Sequence, residues 1–114
     1  MSKHGGIQNE LKGWKELSDE ERDFKGKNKP NLLRALVHAA DISNPTRPYD
    51  IAKLWSQRIV SEFFHQGDKE RALGVEITML CDRNKVNFAS SQEGFINFVI
   101  FPYFNTIGGL IPAL

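Results

Sequence analysis

The stretch PYDIAKLWSQRIVSEFFHQG, residues 48–67, sets Ile51, Trp55, Ile59 and Phe63 at strict four-residue steps. A repeat of that length keeps large apolar side chains on one side of an α-helix. Pro48 and Asp50 open the helix, and Gly67 is expected to close it. Upstream, Asn28 and Pro30 predict the start of another helix, with Leu32, Leu33, Leu36, Val37 and Ala40 as its apolar positions. Around Leu36 that helix is apolar on nearly every side, which predicts burial inside something larger. It should stop near Ser43, because Pro45 biases Asn44 away from the α region.

The flanks continue the same theme. After a Gly5-Gly6 breaker, Ile7, Leu11, Trp14 and Leu17 recur at spacings of three and four and predict a short amphipathic helix. Ser18 and Glu21 form a capping-box pair, and Lys25 to Lys29 reads as an exposed polar loop. Downstream of a loop around Gly74 to Asp82, a long helix is expected from about Lys85 to Phe101, with Phe88, Gln92, Phe95 and Val99 on one stripe. Pro102 should end or kink it, and Thr106 to Leu114 is assigned no regular structure. The fold class that follows is all-α.

Composition narrows the function classes. The chain has 114 residues, 40% hydrophobic and 25% charged, enough apolar material for a core in one small domain or in part of a larger one. Lys and Arg total 15 against 14 Asp and Glu with no basic cluster, which argues against a nucleic-acid polymer as partner. Cys81 is the only cysteine, so there is no internal disulfide or thiolate zinc knuckle, and a reducing, cytoplasmic setting is expected. Met1 to Glu10 has no apolar signal region, and nowhere is there an apolar run long enough for a membrane span.

Three groups of residues could carry chemistry. His38 and Asp41, at a helical i, i+3 spacing, could be half of a divalent-metal site, or else a cap or a buried pair. A bare pair of this kind is usually the latter, because a closed site needs three or four ligands. Gln92 points a carboxamide along an apolar stripe; it offers the donor and acceptor that reading a purine or pyrimidine edge requires, or it simply bonds backbone or water. Trp55, Ile59, Phe63 and Phe64 at helical spacing indicate packing before they indicate a pocket. No Gly-rich phosphate cradle, nucleophile elbow or Cys/His pair is present.

Taken together, His38 to Pro45 (HAADISNP), Trp55 with Arg58, Glu62 to Glu70 (EFFHQGDKE) and Ser91 to Ile96 (SQEGFI) resemble the C-terminal part of the class I 3',5'-cyclic-nucleotide phosphodiesterase catalytic domain. The likeness covers residues 32–104. It leaves 1–31 as a weakly matching helix-and-loop lead-in, although Met1 to His4 is similar to the end of an earlier family helix, and 105–114 as a tail. The resemblance implies a portion of a compact multi-helix domain. In that domain zinc and magnesium flank a cyclic phosphate, sharing its charge and lowering the pKa of the attacking water.

By the same resemblance Asp41 is a metal aspartate, Gln92 bonds the base, and Phe95 and Ile59 sandwich its ring. Phe63 and Trp55 line the pocket, and Asn44 touches adenine in cAMP-preferring members. His38 is implied to be structural rather than a ligand. The family's HN-x-x-H and HD-x-x-H segments are absent from the 114 residues, so no catalytic residue is assigned in this chain: the general-acid histidine, the metal histidines and the other metal aspartate lie elsewhere. The expectation is a partial catalytic domain, with the missing N-terminal half as its partner, cAMP or cGMP as substrate, and no activity alone. The alternatives are a non-catalytic purine-nucleotide-binding module and a helical interaction module.

Overall fold

A computed structural model describes residues 3–111. Every regular element among them is helical: α1 (His4–Lys15), α2 (Asp19–Arg22), α3 (Lys29–Asp41), a 3₁₀ turn (Asn44–Thr46), α4 (Tyr49–Ala72), α5 (Phe88–Phe95), a π-helical turn (Ile96–Ile100) and α6 (Phe101–Leu110). The chain divides into two compact units, Met1–Ser43 with Val99–Leu114, and Asn44–Phe98.

In the first unit α1 and α6 pack together. α1 buries Ile7, Gln8, Leu11 and Trp14. α6 buries Tyr103, Thr106, Ile107 and Leu110, a spacing that also follows the helical turn. Gln8 donates from Nε2 to the Pro102 carbonyl at 3.4 Å and to Thr106 Oγ1 at 3.3 Å, while its own Oε1 is buried without a partner. α3 joins through Ala35 and Ala39, whose small side chains admit Tyr103; the phenol hydroxyl, fully buried, donates to the Ala35 carbonyl at 2.9 Å. The lead-in is tied down locally. The Ser18–Glu21 capping box forms in both directions, Arg22 Nε caps the Trp14 carbonyl at 2.8 Å, and Trp14 meets Phe24 edge-on.

Several local expectations are corrected here. Gly5 and Gly6 lie inside α1, not before it, because the first turn is anchored by Ile7 and His4; Leu17 falls beyond the helix and is exposed. Pro30 takes the first turn of α3 as expected, but Asn28, at the N-cap position, makes no side-chain capping bond and donates instead to the Arg22 carbonyl at 2.7 Å. The alanine side of α3 is the buried one, while Leu33 and Val37 are exposed. Thr106 to Leu110 is helical: the buried stripe of α6 outweighs Gly108 and Gly109. Met1, Ser2 and the last residues of the tail, Pro112 to Leu114, lie outside the described residues.

The second unit is built on α4, which packs on the 3₁₀ turn that precedes it. α4 does not stop at Gly67. A Cβ there would collide with the Cys81 carbonyl oxygen, so the glycine is a point of close backbone approach in mid-helix. The stop comes at Gly74, in the left-handed region at φ 68°. Its N–H donates to the Arg71 carbonyl at 3.1 Å and that of Val75 to Glu70 at 3.1 Å, the paired bonds of a Schellman motif.

From there the loop returns over the C-terminal half of α4 and is clasped to it by polar groups. Thr78 donates from both N–H and Oγ1 to Glu70 at 2.7 Å, Arg71 pairs with Asp82 at 2.7 Å, and Arg83 forks onto Asp68 with its Nε at 3.0 Å from Oδ1. Gln66, which donates to Glu70 at 2.8 Å, and then Thr78 hold the Glu70 carboxyl below its ordinary value, and the Arg83 bond does the same for Asp68. Leu80, within the clasped stretch, has φ 72°, a conformation an L-leucine adopts only under constraint. The expected helix from Lys85 starts later, where Asn87 Oδ1 accepts from Ser90 N–H at 3.0 Å. It runs past Phe101 because Pro102, having no N–H to lose, sits in the first turn of α6 behind the π-helical turn.

Candidate functional site

The residues expected to hold a base all lie in the second unit. Trp55, Ile59 and Phe63 form one side of α4, as their spacing dictates; Ile59 is half-buried, while Trp55 and Phe63 remain exposed. Arg58 places its guanidinium 5.8 Å from the centre of the Trp55 ring, a cation–π contact that steadies the indole. Asn44 begins the 3₁₀ turn packed on α4, half-buried.

On α5, Gln92 and Phe95 are half-buried and one turn apart, so a carboxamide and an aromatic ring follow each other along the same side. Phe88, at the start of α5, lines a concavity together with Val60 and Phe64 of α4.

Two concavities among the described residues of the second unit are lined by none of the predicted base residues. One, of about 420 Å³, is bounded by the loop from Glu76 to Val86. The other, of about 380 Å³, lies against Gln57, Val60, Ser61 and Phe64, on the side of α4 turned away from Trp55, Ile59 and Phe63, with His65, Arg83 and Phe88 at its edge.

Asp41 belongs to the first unit, as the last residue of α3, with its side chain exposed. His38, one turn earlier, has its Nε2 3.0 Å from Nδ1 of His4, a partner 34 residues away that no spacing rule could have supplied. Among the described residues no three His, Cys, Asp or Glu side chains converge to hold a metal ion. One water-exposed carboxylate does not fit the requirement of a binuclear zinc–magnesium centre, which needs several ligands on each ion. None of the described helices is long and apolar enough to cross a membrane.

Comparison with known proteins gives a consistent picture. The family profile described as 3'5'-cyclic nucleotide phosphodiesterase matches residues 1–114. The "Probable 3',5'-cyclic-AMP phosphodiesterase pde-4" of Caenorhabditis elegans is 43% identical over 83 residues, covering 73% of this chain and 12% of that protein. The "3',5'-cyclic-AMP phosphodiesterase 4C" of Rattus norvegicus is 41% identical over 80 residues, 70% of this chain and 15% of that protein. The solved structure of LmjPDEB1 in complex with IBMX matches with a TM-score of 0.83 at 29% identity, covering 97% of this chain and 33% of that one. The chain therefore spans a minor part of the length of the relatives it matches.

Proposed function

The chain belongs to the 3',5'-cyclic nucleotide phosphodiesterase family, and from that membership we propose that it carries the base-binding side of an enzyme converting a cyclic nucleotide, cAMP before cGMP, to its 5' monophosphate. Gln92 reads the edge of the purine with its carboxamide, as donor and acceptor at once. Phe95 and Ile59 take the two faces of the ring, Trp55 and Phe63 wall the pocket, and Asn44 meets adenine. Asp41 is the carboxylate this chain contributes to the family's divalent metals. The likeness to two cyclic-AMP phosphodiesterases supports the preference for cAMP.

The observation that carries this reading is the state of α4: its best-defined apolar stripe, which would ordinarily be core, leaves Trp55 and Phe63 open. Large aromatics kept out of a unit's own packing are suited to a flat ligand or to further protein. The 114 residues alone are inactive in this proposal, because no metal-holding cluster forms among the described residues and the sequence carries neither the HN-x-x-H nor the HD-x-x-H segment. The reducing cytoplasm suits its one free thiol.

Calorimetry with AMP and cAMP tests the base site. Binding that weakens about tenfold or more in Gln92→Ala agrees with two lost hydrogen bonds. Affinity unchanged by that substitution would remove Gln92 from the site. Mixing the chain with a segment that bears HN-x-x-H and HD-x-x-H should restore cAMP hydrolysis, whereas hydrolysis by the unmixed chain would overturn the claim of inactivity.

A further inference from the structure

His4 opens α1 and His38 lies on α3, and their facing nitrogens, Nδ1 and Nε2, are 3.0 Å apart. The ring centres are separated by 5.3 Å, and each ring also packs on Tyr103, at 5.3 Å and 5.2 Å. A hydrogen bond between two imidazole nitrogens holds a single proton, because one nitrogen must stay bare to accept it. With both rings cationic every ring nitrogen is a donor, and the bond becomes a contact between like charges.

The surroundings do little to offset a second charge. From α6 the neighbour is the Tyr103 phenol, whose pKa burial pushes up to about 12, so it remains neutral. Glu10 on α1 is already paired with Arg34 on α3 at 2.8 Å. Lys3 precedes His4 and adds a positive charge, and Asp41, one turn beyond His38, is open to water.

We propose that the His4–His38 pair is a proton-operated latch, holding the first turn of α1 to α3 at neutral pH and releasing it on mild acidification. Desolvation by burial, and then the charge of His38, hold His4 below its ordinary value of 6.5. A histidine whose pKa is lower folded than unfolded adds stability that is complete above 6.5 and is lost as pH falls below 6.5 and through the folded value. Only the first turn is affected, since Leu11 and Trp14 fix the rest of α1 in the core without titrating.

The test follows the imidazole signals of the 114-residue chain by NMR through a pH titration, with amide exchange of Gln8 and Asn9 measured in parallel and corrected for the intrinsic rate. His4 should titrate below 6.5, and protection at those amides should fall by about tenfold for each pH unit by which its midpoint is depressed. His38→Phe keeps an aromatic ring beside Tyr103 but removes the nitrogen. In that variant His4 should return toward its ordinary value and protection should no longer respond to mild acid, and His4→Phe should likewise abolish the response. The latch is overturned if His4 titrates identically with and without His38, or if the loss of protection persists in either variant.

Discussion

The two units keep their apolar side chains in opposite ways. The first buries Ile7, Leu11, Trp14, Ile42, Ile100, Tyr103, Ile107 and Leu110, together with two alanines of α3. The second buries only Val60 and Cys81 among its described apolar residues, and leaves Ile51, Leu54, Trp55, Phe63, Met79 and Phe98 exposed. Its loop is held instead by Glu70, which accepts from Thr78, and by the Arg71–Asp82 and Arg83–Asp68 pairs. One half is thus stabilised by desolvation, and the other by surface bonds that water and salt weaken. A unit with so many large apolar groups outside its own packing has surface to offer a ligand or further polypeptide.

The largest effect that would sharpen this contrast is expected at Tyr103. Tyr103→Ala removes a fully buried ring and its bond to Ala35, and should cost about 3–5 kcal/mol in urea unfolding followed by circular dichroism. A cost near zero would mean that the first unit has no tight core. Gly67→Ala comes next, at about 1–3 kcal/mol, because the added methyl must displace backbone at Cys81. Its signature is amide exchange, with protection lost across residues 74–86 and retained in the first unit.

Acid should separate the units further. Glu70 is held low by Gln66 and then by the two bonds from Thr78, so its contribution is present above the unfolded value of 4.5 and disappears as pH falls through the lower folded one. The Thr78 amide should therefore lose protection in a step below pH 4.5, and Glu70→Gln should abolish the step. The smallest change in stability is expected from Trp55→Ala, within about 0.5 kcal/mol, since the indole is open to solvent. If thermal melting shows a large loss instead, Trp55 is core and the contrast between the units fails there.

Much of the fold was legible because local chemistry and tertiary structure agree at those points. The four-residue stripe of α4, Pro30 in the first turn of α3 and the Ser18–Glu21 box all express rules that act within a turn or two. Gly67 misled because its meaning is set by Cys81, 14 positions away across a loop, and a glycine needed for contact looks the same in sequence as a glycine that ends a helix. Leu33 and Val37 misled for a related reason: an apolar residue reveals its preference, not whether this chain supplies the surface to cover it. The stripe Tyr103, Thr106, Ile107 and Leu110 was present to be read, but the glycines beside it argued for a tail. Of the candidate site, the residues proposed for the base stand in motifs that are visible in the sequence. The His4–His38 pair does not, because only the packing of α1 on α3 makes those residues neighbours.

Cys81 gives the clasped loop an internal clock. It is the only thiol in the chain, buried against α4, and desolvation followed by the nearby Glu70 carboxylate pushes its pKa up, so the reactive thiolate is scarce while the loop lies closed. An alkylating reagent can then mark the protein only as often as the segment peels from the helix, and the rate of labelling counts those departures without any probe having to be introduced.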